Sequence, residues 1–402
     1  TKLAQQRRTA TSKDTEMIPF VFNTTKSLIF ETGASSRLAE MAGRTLGNSV
    51  LLVTDPGLRQ LGLADPAIAS LEAAGHSVTV FDKVEADPSR ETLMQAVEAG
   101  RVAGATGVLG FGGGSSLDVA KLVALLLGSN EDLDESWGVA QAKGPRLPLV
   151  LVPTTAGTGS EVTPVSIITV GAEEKRGVSS PVILPDIAVL DADLTVGLPA
   201  HITAATGVDA MVHAIEAYAS KSANNNPLSK MLAREALRLL GANIETAVFN
   251  GQDKDARGAM LLGSMLAGQA FANSPVAAVH ALAYPIGGTF HVPHGLSNAL
   301  VLPHVLRFNA PDAHALYAEI AADAFPQLAE VEGSQARCAG FIDALADLSA
   351  RLGMKTRLRD VNIPQDAIAK MASDAMVQQR LLVNNPREVT ERDALNIYTA
   401  AW

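Results

Sequence analysis

Between residues 20 and 195, short unbroken apolar runs alternate with stretches whose apolar positions recur every three or four residues. The first pattern reads as buried strand and the second as helix. Strands are predicted at Ser49–Thr54, Ser77–Phe81, Gly107–Phe111 and Leu149–Val152, and helices at Asp65–Ala74, Ser89–Val102 and Ser115–Leu127. This alternation predicts a mostly parallel sheet with helices on both faces, an α/β arrangement. Past Leu198-Pro199 the texture changes: Ala, Leu and Met dominate and β-branched runs become scarce. Helices are predicted there at Thr203–Ser220, Asn226–Leu240, Asp255–Ala272 and Ala336–Leu352, so the second half reads as all-α. The expected organisation is a tail over residues 1–16, an α/β domain over 17–198 and a helical domain over 199–402.

Composition narrows the function classes. With 402 residues, 47% hydrophobic and 18% charged, the chain can bury a large core. Its 32 Lys and Arg against 42 Asp and Glu give a net charge of −10, which argues against nucleic acid as a partner. The single cysteine, Cys338, rules out an internal disulfide framework and any multi-cysteine zinc site; it reads as a small core or surface residue, and a cytoplasmic location fits. No uncharged apolar stretch reaches the roughly 20 residues that span a bilayer. The richest, Gly104–Gly128, is broken by Asp118 and Lys121. Lys2, Arg7, Arg8 and Lys13 precede the first acid, Asp14. A transit peptide has that composition, but no amphipathic face emerges, and a flexible tail is the preferred reading.

Two turns suggest a phosphate site. A strand running into Gly112-Gly113-Gly114-Ser115-Ser116 and then a helix exposes backbone N–H groups at a helix N-terminus, where glycines permit close approach. The same triplet also serves as a plain tight turn. A second small-residue turn, Thr154-Thr155-Ala156-Gly157-Thr158-Gly159-Ser160, also follows a strand and favours the phosphate reading. Neither turn is a G-x-G-x-x-G or Walker sequence. Asp55, ending a strand before Pro56-Gly57, reads either as a turn residue or as an acceptor for a ribose diol that repels a 2′-phosphate.

Histidine placement is the strongest chemical signal. His280, His291, His294 and His304 lie within one 25-residue window. Farther back, Asp209 and His213 stand at i and i+4, one above the other on a helix face. Alone, that pair reads as a surface ion pair or as two ligands of one metal. Ala210, Met211, Val212, Ala214 and Ile215 make the helix apolar on most sides, and a carboxylate and imidazole set there need partners. Asp209, His213, His280 and His294 would give an O,N,N,N set suited to Fe(II) or Zn(II), with an open position for a substrate oxygen. His291 reads as a neighbour of the ligands or a pocket residue, and His76, His201, His304 and His314 as capping, surface or satisfied core positions.

Four ordered stretches carry a resemblance: Gly112–Lys121 (GGGSSLDVAK), Pro153–Glu161 (PTTAGTGSE), Thr206–Tyr218 (TGVDAMVHAIEAY) and His280–Gly295 (HALAYPIGGTFHVPHG). Together with Asn385-Pro386-Arg387 they resemble the iron-dependent (group III) alcohol dehydrogenase family over roughly residues 20 to 395. The resemblance implies the dehydroquinate synthase-like fold, with an α/β NAD-binding domain, a helical metal-binding domain and a cleft between them. It implies that Asp209, His213, His280 and His294 hold the metal. Asp55, Gly112, Gly113, Gly114, Ser115, Asp118, Thr154, Thr155, Thr158, Thr163 and Lys175 would line the nicotinamide site, Lys175 reaching a ribose hydroxyl. It also implies a homodimer acting on a small alcohol or carbonyl substrate, with no membrane partner.

One position departs from the pattern. Many members carry a histidine four residues after the third ligand, and here Tyr284 stands in its place. A phenol of reference pKa about 10 is a poorer acid-base group near neutrality than an imidazole at about 6.5. Hydroxyacid–oxoacid transhydrogenases, a branch of the family, are similar in having Tyr there. The expected activity is metal-dependent, NAD(H)-linked interconversion of an alcohol and an aldehyde or ketone, with Tyr284 and His291 as candidates for moving the proton. The alternatives are a transhydrogenase working on bound NAD, a dehydroquinate synthase or glycerol dehydrogenase relative, and a non-catalytic nucleotide- or metal-binding protein.

Overall fold

The computed structural model describes residues 19–171 and 174–402, so the expected tail over residues 1–16 lies outside the described residues. Nine strands appear among them: β1 Ser27–Phe30, β2 Ser49–Val53, β3 Ser77–Phe81, β4 Gly107–Gly112, β5 Gly138–Val139, β6 Leu149–Pro153, β7 Val165–Val170, β8 Glu174–Ser179 and β9 Ile187–Leu190. The accompanying helices are α1 Leu38–Leu46, α2 Pro56–Gln60, α3 Asp65–Ala73, α4 Arg90–Val102, α5 Gly114–Ser129 and α6 Leu133–Ser136.

Six strands form a sheet in the order β1-β9-β6-β4-β2-β3, with every pairing parallel. Its central strands are buried on both faces, as unbroken apolar runs such as SVLLV and LVLVP require. Side chains alternate across it. Leu51 and Val53 join the core under α4 and α5. Val50 and Leu52 join the core under α1 and α3. From β2 the chain steps outward to β3, and from β4 it steps the other way to β6. The strand order therefore reverses between β2 and β4, and ligands of open α/β sheets bind at the carboxyl ends of such a pair. A smaller sheet, β5-β8-β7, packs beside it, with β7 and β8 antiparallel.

One partly buried carboxylate pins the opposite end of the sheet. Asp186, just before β9, accepts from Arg146 Nη1 at 2.6 Å, from Lys26 Nζ at 2.6 Å and from the Leu149 amide at 3.0 Å. Burial alone would raise its pKa, but Arg146, Lys26 and the Leu149 amide together hold it down at about 2. A depressed carboxyl contributes stability above its unfolded pKa and loses it as pH falls through the folded value. Asp186→Asn should therefore cost about 2 kcal/mol near pH 7 and almost nothing near pH 2, as urea melts at the two pH values would reveal. An equal cost at both would refute the account.

From Ala200 onward the described chain is helical: α7 Ala200–Ala219, α8 Pro227–Phe249, α9 Lys254–Asn273, α10 Ala278–Phe290, α11 His294–Ala324, α12 Ser334–Arg351, α13 Ile368–Ala375, α14 Gln379–Leu382 and α15 Glu391–Ala401. Helix α7 runs through the middle, packed by α8, α9 and α11, and every residue from Gly207 to Ala219 is buried. Cys338 is buried in this core.

One expectation is corrected, and several strands lie where none was predicted. The helix predicted to end at Leu240 continues to Phe249. Gly241 is no terminus; it lies where α8 crosses α11, and a Cβ there would meet the Ala324 carbonyl oxygen at 2.2 Å. Strands β1 and β9, four residues each, were not predicted; β1 is mostly exposed and carries no buried apolar run. The β7–β8 hairpin is only half buried and mixes charged residues into its pattern, so it did not stand out either.

Candidate metal centre and cofactor cleft

Three turns meet at the carboxyl ends of β2, β4 and β6. After β2, Asp55 caps α2, its Oδ1 accepting the Leu58 amide at 2.9 Å. The turn reading of Asp55 is thus realised, and that bond engages only one of its two carboxylate oxygens. After β4, Gly112 turns the chain with φ 155°, and Gly113 begins α5 without a side-chain cap. The first amides of α5 are therefore free of side-chain acceptors and point out of the helix end. Thr155 and Thr158, from the turn after β6, border this end: Cβ atoms at Gly113 and Gly114 would lie 3.6 Å and 2.9 Å from their side chains. A Cβ at Gly113 makes ordinary contact and one at Gly114 is crowded, and free helix-end amides beside these small residues fit a pyrophosphate.

A fully buried ammonium locks the two turns together. Lys121 Nζ donates to Ser160 Oγ at 2.7 Å, to the Val165 carbonyl at 2.7 Å and to Thr163 Oγ1 at 3.3 Å. Asp118 lies 3.4 Å from that ammonium and accepts from Ser160 Oγ at 2.6 Å and the Ile167 amide at 2.9 Å. Burial pulls the Lys121 ammonium below its ordinary pKa while Asp118 pulls it back up. Asp118 and Thr163 thus brace the cradle from behind. Thr154, at the end of β6, is buried and donates its amide to the Gly112 carbonyl at 3.0 Å. Lys175, on β8, is paired with Asp87.

The metal-type cluster forms where α7, α10 and α11 meet. Asp209 and His213 come from one face of α7, His280 from α10, and His294 is the first residue of α11. Their ligand atoms all lie within 4.8 Å of one another. The His213 and His280 rings stack with centroids 4.8 Å apart, and His213 also stacks on Phe271 at 4.4 Å. Burial pushes the His213 imidazole down to about 3, so it is neutral near neutral pH and keeps a lone pair for a metal.

Hydrogen bonds to the far ring nitrogens fix which nitrogen faces inward. His213 Nδ1 lies 3.2 Å from the Gly157 carbonyl, and His280 Nδ1 lies 2.6 Å from Glu216 Oε2. Each Nδ1 then carries the proton and each Nε2 presents a lone pair. Asn298 Nδ2 lies 2.6 Å from Asp209 Oδ1 and 3.3 Å from Nε2 of both His280 and His294. It marks the point on which the lone pairs converge, and its own Oδ1 is buried without a partner among the described residues. One carboxylate and three imidazoles around one point fit Fe(II) or Zn(II). His294 is half exposed, which leaves the cluster an open side.

Tyr284 stands one turn beyond His280 on α10, its hydroxyl 3.4 Å from Arg380 Nη2. Burial raises its phenol above the ordinary value, against the pull of Arg380. His291 ends α10 with φ 54°, exposed, and stands outside the cluster of four. Glu216, Asn298 and Lys121 were not singled out by sequence reasoning. The signal was there for two of them: Glu216 follows His213 by three residues and Asn298 follows His294 by four, the spacings that share a helix face.

These features define a class. Residues 25–192 match the family described as iron-containing alcohol dehydrogenase, and residues 203–402 match the C-terminal region of the Fe-containing alcohol dehydrogenase family. The chain belongs to that family. It is 41% identical over 378 residues to long-chain-alcohol dehydrogenase 1 of Geobacillus thermodenitrificans, covering 92% of this chain and 93% of that one. It superposes on the crystal structure of a 1,3-propanediol oxidoreductase with TM-score 0.92 and 34% identity, covering 96% and 100% of the two chains. The sulfoacetaldehyde reductase of Bifidobacterium kashiwanohense, solved in complex with NAD+, superposes with TM-score 0.84 and 28% identity, covering 95% and 98%.

Proposed function

We propose that this chain interconverts a small alcohol and its aldehyde or ketone, using a divalent metal, Fe(II) before Zn(II), and NAD(H). The observation that carries the reading is the bond from His213 to the Gly157 carbonyl, which ties a metal ligand to the turn beside the phosphate cradle. When bound, the ion supplies Lewis acidity toward the substrate oxygen, and NAD supplies the hydride acceptor. Asp209, His213, His280 and His294 would hold the ion, and the half-exposed His294 leaves the cluster accessible. Gly112, Gly113, Gly114 and Ser115 take the pyrophosphate, with Thr154, Thr155 and Thr158 beside it and Asp118 and Thr163 bracing the turn. Lys175 and Asp55 serve the ribose hydroxyls. Tyr284 keeps its proton at neutral pH and donates a hydrogen bond toward the substrate, and His291 passes protons to water.

The domain organisation proposed with this function is a cofactor domain over residues 17–198 and a metal domain over 199–402. A cytoplasmic homodimer without nucleic-acid or membrane partners is proposed as well. It is supported by the net charge of −10, by the absence among the described residues of a helix long and apolar enough to cross a membrane, and by the edge of β1, which no other described strand pairs and where Leu28 and Phe30 are exposed.

The test is an anaerobic assay after loading with Fe(II) or Zn(II). It would use short alcohols, diols and hydroxy acids with NAD, each with and without an added oxo acid. Steady NADH formation abolished by EDTA is expected. Product formed only when an oxo acid is present, with no free NADH, would replace this reading by the transhydrogenase that Tyr284 suggests. No turnover with metal and NAD both bound would overturn it. In the same assay Asp55→Asn should narrow the preference for NAD over NADP at unchanged stability, because Asn caps a helix as well as Asp but lacks the charge. An unchanged preference would remove Asp55 from the cofactor site.

A further inference from the structure

Helix α7 carries a second carboxylate on the face that presents the metal ligands. Asp209, His213 and Glu216 stand at i, i+4 and i+7, so one helical stripe holds all three. Glu216 is 5% exposed and makes two short contacts. Its Oε1 accepts the Val279 amide at 2.7 Å, and its Oε2 meets His280 Nδ1 at 2.6 Å. Val279 lies in the first turn of α10, whose N-terminus has no side-chain cap from its own N-cap residue. The carboxylate therefore satisfies an orphan amide at the positive end of α10 and grips the ring that α10 carries.

We infer that Glu216 is a positioning residue for the metal centre: it holds His280 with the proton on Nδ1 and supplies the second negative charge that a buried divalent ion requires. The inference rests on the metal reading of Asp209, His213, His280 and His294. Three neutral imidazoles and one carboxylate leave a divalent ion one positive charge in excess. Glu216, 2.6 Å from the far side of the His280 ring and buried with it, cancels that excess from within the protein. A carboxylate behind a ligating imidazole also raises the basicity of the nitrogen that faces the metal.

Glutamine distinguishes this role from simple capping. It matches glutamate in shape, and its single oxygen can still accept the Val279 amide. Its NH2 then faces His280 Nδ1, which must become an acceptor. The proton moves to Nε2, onto the lone pair meant for the metal. Capping survives and ligation does not.

The test measures Co(II) binding to the metal-stripped full chain by competition with a chelator, together with the visible spectrum of the Co(II) protein. Glu216→Gln should weaken Co(II) binding roughly 10- to 100-fold and change the spectrum, at unchanged NADH binding to the apoprotein. Glu216→Asp keeps the charge but shortens the reach, and should fall between wild type and Gln; it also serves if the Gln variant does not fold. Wild-type affinity and spectrum in Glu216→Gln would overturn the inference and leave Glu216 a helix cap, as would wild-type affinity in Glu216→Asp should that variant alone fold. A wild-type chain that takes up no Co(II) would overturn the metal centre itself, and the role of Glu216 with it.

Discussion

Asp209→Ala is expected to abolish metal binding and to lower alcohol oxidation about 1,000-fold or more while leaving the fold intact. The metal-bound state depends on this carboxylate more than on any single imidazole, because it is the one anion among the four ligands. A Lewis acid contributes several kcal/mol to a hydride-transfer reaction, and each 1.36 kcal/mol is tenfold in rate. Stability should move little in the apoprotein. Asp209 is 2% exposed, and its one close hydrogen bond comes from Asn298 at 2.6 Å, so its removal deletes a costly buried charge along with one bond. Elemental analysis of the purified variant, with thermal melts of the stripped and reloaded protein, checks both halves. A variant that keeps full metal occupancy would remove Asp209 from the ligand set. His280→Ala should match it in activity, but with a larger stability loss, because Glu216 would keep only its bond to the Val279 amide.

The parts of this site that could be read from sequence are those where residue type and spacing alone define the chemistry. A strand, three glycines and a helix start allow a free helix end or a plain tight turn, and the second small-residue turn after β6 tips the reading toward the former. Asp209 and His213 inside an otherwise apolar helix need partners, which made a shared metal a stronger reading than a surface ion pair. The supporting residues were hidden for the complementary reason. Glu216 and Asn298 sit on the right helix faces, but their worth depends on which helix crosses which. That depends on packing, which periodicity does not encode. Gly241 shows the same limit in the fold: a glycine at the end of an apolar-periodic run reads as a helix stop, and only the crossing of α11 over α8 makes it a point of close approach. Strands as short as β1, at the sheet edge, and β9, between β1 and β6, are held by the ladders beside them.

Close approach also sets the geometry of the metal centre, and Gly295→Ala should weaken metal binding about 100-fold although Gly295 is not a ligand. Gly295 is the second residue of α11, next to His294, and packs directly on α7. A Cβ there would lie 2.3 Å from the Ala205 carbonyl oxygen, 2.8 Å from its carbon and 3.3 Å from Asp209 Cβ. The first two are backbone atoms of a buried helix and cannot swing aside as a side chain can. The start of α11 must then lift, carrying the His294 imidazole away from Asp209 by a distance of order 1 Å, a displacement that costs about 100-fold at a site needing exact geometry. Helix propensity works the other way, since alanine is favoured over glycine by about 1 kcal/mol in a helix. A loss of metal affinity can therefore only come from the contact. Gly288→Ala on α10 is the control: a Cβ there meets nothing within 4 Å, so metal affinity should stay at the wild-type value. Isothermal titration of both stripped variants with Zn(II) decides the matter. Wild-type affinity in Gly295→Ala would mean that α11 yields without moving His294, and that the ligand cage is set by side-chain rotation and not by the spacing of the two helices.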